Sequence, residues 1–267
     1  MPDPQPTSFR ERLIQRIGGY SSFMFWYRSV RPKWLWRRTS PFGRPTSRYV
    51  SENGAAIRRG AFAGLVFPES ALGHTNHMAA KLIGTYEPGV IAFLGEQVGS
   101  TDVFVDLGSG DGFFCTGMAR LGPVRSIGYE VNRYERKVAQ QIAAVNNVEV
   151  ETRGLADETE LNALPDGRLL ILCDIEGYEE ELLDPQLVPR LREATMVVEA
   201  HDQFRPDVIT VLTERFRETH EIERIFARPA DPSEFDELKG WDEKSAELVV
   251  FDGHASPDES WLIFVPK

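Results

Sequence analysis

The sequence predicts an α/β fold in which helices cover both faces of a parallel sheet, preceded by a basic, aromatic N-terminal arm. Three observations support this prediction. An apolar run ends in a glycine-rich turn at residues 103–112, strand-like and helix-like segments alternate from there to residue 219, and arginines and tryptophans concentrate in the first 50 residues. Alternation at this pitch is typical of a parallel sheet between two helical layers.

The predicted arm, residues 1–50, carries ten basic and two acidic side chains, a local charge of +8. The whole chain has a charge of −11, so the remainder carries −19. An acidic main body disfavours nucleic acid as a substrate. The mixture of arginine and tryptophan in the arm suits a membrane surface, a partner groove, a second copy of the chain, or packing over its own domain. These alternatives stay open.

The composition is that of a globular protein, with 42% hydrophobic and 27% charged residues. The aromatic run Phe23–Tyr27 is far shorter than the ~20 residues that a membrane-spanning helix needs, and no secretion signal precedes it. Cys115 and Cys173 fall in apolar segments and are expected to be core residues in a reducing compartment. We therefore expect a cytoplasmic protein without a transmembrane segment.

Residues 51–267 are predicted to form the main domain, with a helical lead-in segment at 51–100. Its cofactor-binding core would span about residues 84–230, followed by a polar insertion at about 230–258 that contains Trp241. Within the core, the composition predicts strands at 125–129, 148–152, 169–174, 196–200 and 262–265. It predicts helices at 113–121, 133–145, 179–192 and 206–219.

The first strand of the core starts at Val103 and runs into a turn with glycines at alternate positions. A dinucleotide-binding turn follows the pattern G-x-G-x-x-G, but the third glycine would fall at position 113, which is Phe113. The pattern present is D-x-G-x-G-x-G, which resembles motif I of class I S-adenosylmethionine (SAM) dependent methyltransferases. A tight turn without a ligand is the alternative. The candidate cofactor-binding residues are Asp106, Gly108, Ser109, Gly110 and Gly112.

Two further residues are candidates for contacts with the nucleoside. Glu130 stands at the end of the second strand, where a carboxylate can accept hydrogen bonds from both ribose hydroxyls. Asp157 follows the third strand and is the candidate polar contact beside the adenine.

The fourth and fifth strands both end in acidic side chains. Asp174 and Glu176 follow the fourth strand, and Glu199, His201 and Asp202 follow the fifth. Ligands of open α/β sheets bind beyond the carboxyl ends of the strands, so these groups are expected to converge. Carboxylates that repel one another usually serve a cation or a catalytic proton. The alternative for the first two is an offset to the macrodipole of the helix that begins near residue 179.

Four stretches make the resemblance more specific: GTYEPGV before the turn, CDIEGYE, VVEAHD, and WLIFVPK at the end. Together they resemble the FkbM family of class I methyltransferases over about residues 84–267. The resemblance implies a Rossmann-like class I methyltransferase sheet. It also implies SAM-dependent O-methylation of a hydroxyl on a small molecule, such as a sugar or a glycosylated natural product.

The resemblance also implies roles for individual residues. Glu87 would hold the amino group of the cofactor, and Glu176 would be the base. Asp174 would be a metal ligand that also lines the cofactor site. Glu199 with Asp202 or His201 would complete the metal shell or assist catalysis. This chain has Glu-Ala-His-Asp where metal-binding relatives have adjacent aspartates, so Mg²⁺ stays an open alternative.

Two other functions remain open at this level. The acceptor of the methyl group could be a protein or a lipid that the arm docks. The chain could also be a non-catalytic interaction protein on the same scaffold.

Overall fold

A computed structural model describes residues 36, 38–73, 77–200, 207–226, 228–253 and 260–267. Most of the predicted arm therefore lies outside the described residues. Within them, seven strands form one sheet in the order β3-β2-β1-β4-β5-β7-β6. The strands are β1 (Val103–Leu107), β2 (Arg125–Tyr129), β3 (Glu151–Arg153), β4 (Leu169–Cys173), β5 (Thr195–Glu199), β6 (His220–Phe226) and β7 (Ser260–Pro266).

The described α-helices are α1 (Gly43–Asn53), α2 (Met78–Ile83), α3 (Pro88–Gln97), α4 (Phe113–Leu121), α5 (Arg133–Val145), α6 (Glu158–Asn162), α7 (Glu179–Leu182), α8 (Val208–Phe216) and α9 (Glu243–Val250). Short 3₁₀ segments lie at Val98–Ser100, Pro189–Arg192, Pro232–Glu234 and Asp236–Leu238. Among the helices described, none combines the length and the apolar character that crossing a membrane would require.

Helices cover both faces of the sheet because successive strand residues point to opposite sides. Phe104, Leu170 and Val197 belong to one apolar cluster, together with residues of the lead-in segment, α4, α5 and α9. Val105 and Ile171 belong to the other, together with residues of α6, α7 and α8. The predicted Rossmann-like class I methyltransferase sheet with two helical layers is thus confirmed.

The alternation of strands and helices had predicted a parallel sheet, and this prediction is wrong for β7. β1 pairs in parallel with β2 and β4, and β4 pairs in parallel with β5. β7, however, runs antiparallel to both of its neighbours, β5 and β6. The segment after β6 returns the chain to the end of the sheet at which β6 finishes, so β7 must run in the opposite direction.

The predicted helix at 179–192 is much shorter in the structure. α7 ends at Leu182, and a separate 3₁₀ turn begins at Pro189. Pro185 explains the break, because proline has no N–H to donate and disfavours helical geometry in the residue before it.

Beyond residue 100, three of the described strands and α-helices were not predicted. α6 lies between β3 and β4, where a loop had been expected. β6 follows α8 directly, and α9 lies within the insertion that had been expected to be a loop. Asp242 caps α9 by accepting a hydrogen bond from the Ser245 N–H at 3.0 Å. Ala246, Val249 and Val250 are its buried face. These spacings are helical, but the polar residues around them obscured the pattern.

The lead-in segment and the insertion meet on the same side of the sheet. Arg59 donates to both carboxylate oxygens of Glu237, at 2.8 and 2.7 Å. The Thr85 hydroxyl donates to the Val250 carbonyl at 2.9 Å. We call this layer, residues 51–100 with 228–253, the cap. The predicted boundary at residue 50 falls inside α1, and the division into arm and domain stays a prediction.

The first prediction concerns the packing of the glycine-rich turn. A Cβ at position 108 would lie 1.8 Å from the Asp174 carbonyl oxygen, whereas a Cβ at position 110 would have no atom within 4 Å. Both residues have positive φ. We expect Gly108→Ala to lower the free energy of unfolding by about 3 kcal/mol or more. The control Gly110→Ala should lower it by about 1 kcal/mol. Urea denaturation measures both, and equal losses would contradict the prediction.

Candidate active site

The turn after β1 is held between the ends of the two neighbouring strands. On one side, the Gly108 and Ser109 N–H groups both donate to the Tyr129 carbonyl at the end of β2, at 2.9 and 3.0 Å. On the other side, the Asp174 N–H donates to the Leu107 carbonyl at 2.9 Å. The ends of β1, β2 and β4 are therefore fixed to one another where the predicted cofactor residues lie.

Glu130 holds its carboxylate against the turn. Its Oε2 accepts the Gly110 N–H at 3.1 Å, and its Oε1 accepts the Asn132 N–H at 2.6 Å. Burial raises the pKa of this carboxyl to about 7. The space beside Gly110 is open, so a ligand can approach the turn next to Glu130.

Asp106 and Gly112 support the turn from within the protein. Asp106 is 1% exposed, and its Oδ2 lies 3.6 Å from the Cys115 thiol. Burial raises the pKa of Asp106 to about 7. A Cβ at Gly112 would lie 2.5 Å from the Ala139 methyl group. This glycine therefore lets α4 pack closely against α5.

The acidic ends of β4 and β5 come together. The Asp174 and Glu199 side chains lie close enough for the charge of Glu199 to act on Asp174. Burial raises the pKa of Asp174 well above its ordinary value, and the charges of Glu199, Glu176 and Glu179 raise it further. Asp174 and Glu199 therefore form an acidic pair at the ends of β4 and β5.

Glu176 lies beside this pair on an unusual backbone. It is exposed and has a φ of +58°, a left-handed conformation that is uncommon outside glycine and concentrates at functional sites. The next residue, Gly177, donates its N–H to the fully buried Glu179 at 3.0 Å. α7 has only four residues, so its macrodipole gives little reason for the acidic residues before it.

Glu87 lies near the same pair. It is 5% exposed and precedes α3 with a φ of +43°. The neighbouring Tyr86 is close to several carboxylates. Burial raises the pKa of Tyr86 well above its ordinary value, and the charges of Glu87, Asp174 and Glu199 act in the same direction. The structure thus brings Glu87 to the end of the sheet that carries Asp174 and Glu199.

A metal site is not complete among the residues that the structure describes. They contain no group of three or more His, Cys, Asp or Glu side chains that could hold a metal ion. Of the predicted ligands, Asp174 and Glu199 lie together, while His201 and Asp202 lie outside the described residues. The described donors alone do not form a Mg²⁺ site.

Asp157 has a structural partner. Its Oδ1 accepts the Glu160 N–H at 2.9 Å and caps the short helix α6. It lines a cavity of about 590 Å³ together with Gly154 and Leu155. The contact with adenine stays a prediction.

An ion pair that was not predicted from the sequence lies beside the turn. Lys81 and Asp111 lie 2.8 Å apart and are both buried. The signal that could have revealed it is Lys81 itself, the one charged residue in the buried helix MAAKLI. A buried lysine needs a partner, but the partner lies 30 residues away and local pattern could not name it.

The strand order and the glycine-rich turn define a Rossmann-like class I methyltransferase fold, with the open side of the turn at the carboxyl ends of β1 and β2. No protein-family model matches the chain. A stretch of 98 residues is 33% identical to the ribosomal protein L11 methyltransferase of Pelobacter propionicus. The match covers 37% of this chain and 31% of that protein, so the chain spans about a third of the length of this relative.

Two solved structures are similar at low identity. One is a SAM-dependent methyltransferase from Geobacter sulfurreducens in complex with S-adenosyl-L-homocysteine (SAH), with 15% identity, a TM-score of 0.44, and coverage of 72% of this chain and 96% of that one. The other is the Pyrococcus abyssi tRNA (uracil-54, C5)-methyltransferase in complex with SAH, with 14% identity, a TM-score of 0.43, and coverage of 67% and 38%. None of these comparisons assigns the chain to the FkbM family.

The second prediction concerns the cost of burying Asp106. Its pKa of about 7 lies above the value of about 4 in the unfolded chain. The folded state therefore binds this proton more tightly, and the resulting stability is lost as the pH rises from about 4 to 7. Asp106→Asn does not titrate in this range. We expect its free energy of unfolding, relative to wild type, to rise by about 2 to 3 kcal/mol between pH 5 and pH 8.

Urea denaturation at pH 5, 6, 7 and 8 measures this difference. The exposed Asp166 provides the control, because Asp166→Asn should change stability by a similar amount at every pH. If the difference in free energy of unfolding between Asp106→Asn and wild type is the same at every pH, the raised pKa of Asp106 is contradicted.

Proposed function

We propose that this protein is a SAM-dependent methyltransferase. The observation that carries the proposal is the Glu130 carboxylate held over the open side of Gly110 at the end of the neighbouring strand. A ribose that enters this space would find an acceptor for its hydroxyls, and the open glycine would allow its close approach.

The charge around the turn favours SAM over a dinucleotide. Asp106 and Glu130 lie beside it, and Asp174 and Glu199 lie at the adjoining strand ends. A pyrophosphate would bring two negative charges to this site and be repelled. The sulfonium of SAM is positive and is attracted by carboxylates. The L11 methyltransferase and the two similar structures, by their names, are also methyltransferases.

The acceptor that we propose is a hydroxyl of a small molecule, such as a sugar, as the resemblance to the FkbM family implies. When bound, SAM supplies an electrophilic methyl group. Glu176 lies exposed beside the Asp174–Glu199 pair and takes the hydroxyl proton as the oxygen attacks. His201, which follows β5 in the sequence, would assist, and most of the remaining rate would come from alignment.

The third prediction tests the cofactor. Glu130→Gln keeps the size of the side chain but removes the carboxylate. We expect SAH to bind the wild-type protein in isothermal titration calorimetry and to bind Glu130→Gln about tenfold or more weakly, because a charge-assisted acceptor is lost. Glu149→Gln, at an exposed glutamate, should leave the affinity unchanged. Failure of the wild type to bind SAH would overturn the proposed function.

The acceptor class needs a separate experiment. We expect SAM with a labelled methyl group to transfer label to hydroxyl-bearing glycosides, and Glu176→Gln to slow that transfer at unchanged SAH affinity. Label that enters only protein or lipid fractions would contradict the small-molecule acceptor and support the alternative, while label in no fraction would favour the non-catalytic alternative.

The fourth prediction concerns the acidic pair of Asp174 and Glu199. Glu199 raises the pKa of Asp174 by its negative charge. Glu199→Gln removes the charge, so the pKa of Asp174 should fall. Carbon-13 NMR of protein labelled at the aspartate carboxyl carbon measures the titration, with Asp174→Asn assigning the resonance. Glu193→Gln, at an exposed glutamate, should leave the midpoint in place. An Asp174 midpoint near 4 in the wild type would contradict the pair.

A further inference from the structure

Lys81 is a buried cation in an otherwise apolar helix. Every residue of α2 is buried, and Lys81 is the charged member. Its Nζ lies 2.9 and 2.8 Å from the two carboxylate oxygens of Asp111, and both side chains are less than 10% exposed. The pair joins the cap to the glycine-rich turn, because Asp111 stands between Gly110 and Gly112.

Asp111 also fixes the first residue of α4. Its Oδ1 also accepts the Phe113 N–H at 3.2 Å. The Lys81 ammonium lies 4.7 Å from the centre of the Phe113 ring and 5.2 Å from that of Tyr86. These aromatic faces attract the cation and separate it from water. Lys81 therefore has one position, set by two rings and one carboxylate.

The charge of this pair matters because the turn is surrounded by carboxylates. The charges of Glu130 and Asp111 raise the pKa of Asp106, and the charge of Lys81 lowers it. SAM ends in an amino acid that carries both an ammonium and a carboxylate. The ammonium suits this surrounding, but the carboxylate would be repelled by an unneutralised Asp111 at short range.

We propose that Lys81 is a positioning residue for the cofactor, which neutralises Asp111 so that the glycine-rich turn accepts the carboxylate of the amino-acid end of SAM. The inference rests on the proposed function. It assigns the cap a part in cofactor binding: the cap supplies the cation that balances the turn.

Two ligands separate this role from simple support of the fold. SAH has the amino-acid end, and 5′-methylthioadenosine lacks it. In calorimetry on the full chain, we expect Lys81→Met to weaken SAH about tenfold or more and 5′-methylthioadenosine less than about threefold. Lys81→Arg keeps the charge and should retain most of the SAH affinity.

The double variant Lys81→Met/Asp111→Asn removes both charges. The proposal expects it to bind SAH within about threefold of wild type, because no unpaired carboxylate remains to repel the ligand. Asp111→Asn alone removes the repelling carboxylate and keeps the cation, so it should bind SAH at least as tightly as the double variant. A loss of SAH affinity in Asp111→Asn would contradict the inference even if Lys81→Met does not fold. Circular dichroism and thermal melting establish that each variant is folded.

The exposed ion pair Arg168–Asp102 serves as the matched control. Arg168→Met and Arg168→Met/Asp102→Asn should leave both affinities unchanged. Equal weakening of SAH and 5′-methylthioadenosine by Lys81→Met, or a double variant as weak as the single one, would overturn the inference and leave the proposed function intact. Absence of SAH binding to the wild type would instead overturn the proposed function.

Discussion

The close contact between Gly108 and the Asp174 carbonyl is the constraint on which the rest of the site depends. A side chain at position 108 would collide with the end of β4, so only glycine lets the turn lie against that strand. The hydrogen bond from Asp174 N–H to Leu107 fixes the same contact from the other side. This contact holds the turn where the Glu130 carboxylate reaches the Gly110 N–H. The pairing of β4 with β5, in which Cys173 lies opposite Val198, brings Asp174 beside Glu199 at the same edge of the sheet.

The buried carboxylates show how the fold tolerates a costly site. Asp106, Glu130 and Asp174 all have raised pKa values, and in each case burial is the largest cause. Such groups oppose folding at neutral pH. The sheet beneath them compensates, since every residue of β1 and β4 is buried. Burying these ionised carboxyl groups costs folding free energy. A positively charged ligand would reduce that cost on binding, because an opposite charge stabilises the ionised form of a carboxyl group.

The spacing of apolar residues along the sequence predicted those helices and strands whose own residues show a regular period. Helices 113–121 and 133–145 and strand 125–129 match the structure to the residue, because their apolar spacing is uninterrupted. β6 was missed because Ile222 and Ile225 are three residues apart with charged side chains between them, so the strand lacks a period of two. α9 was missed because polar residues interrupt its apolar face. The direction of β7 and the pairing of Lys81 with Asp111 depend on contacts distant in sequence. Periodicity carries no information on such contacts, so these features required the structure.

The cap explains why the acceptor is harder to infer than the cofactor. The cofactor turn is built by consecutive residues of β1 and α4, which a motif can describe. The cap, by contrast, has two segments that are joined through Arg59 and Glu237, 178 positions apart. It carries Tyr86 and Lys81, which lie near the acidic pair and the turn respectively. A change in the cap at these residues therefore acts on the acidic strand ends and on the glycine-rich turn, so in the proposed function it would couple the choice of acceptor to the binding of the methyl donor.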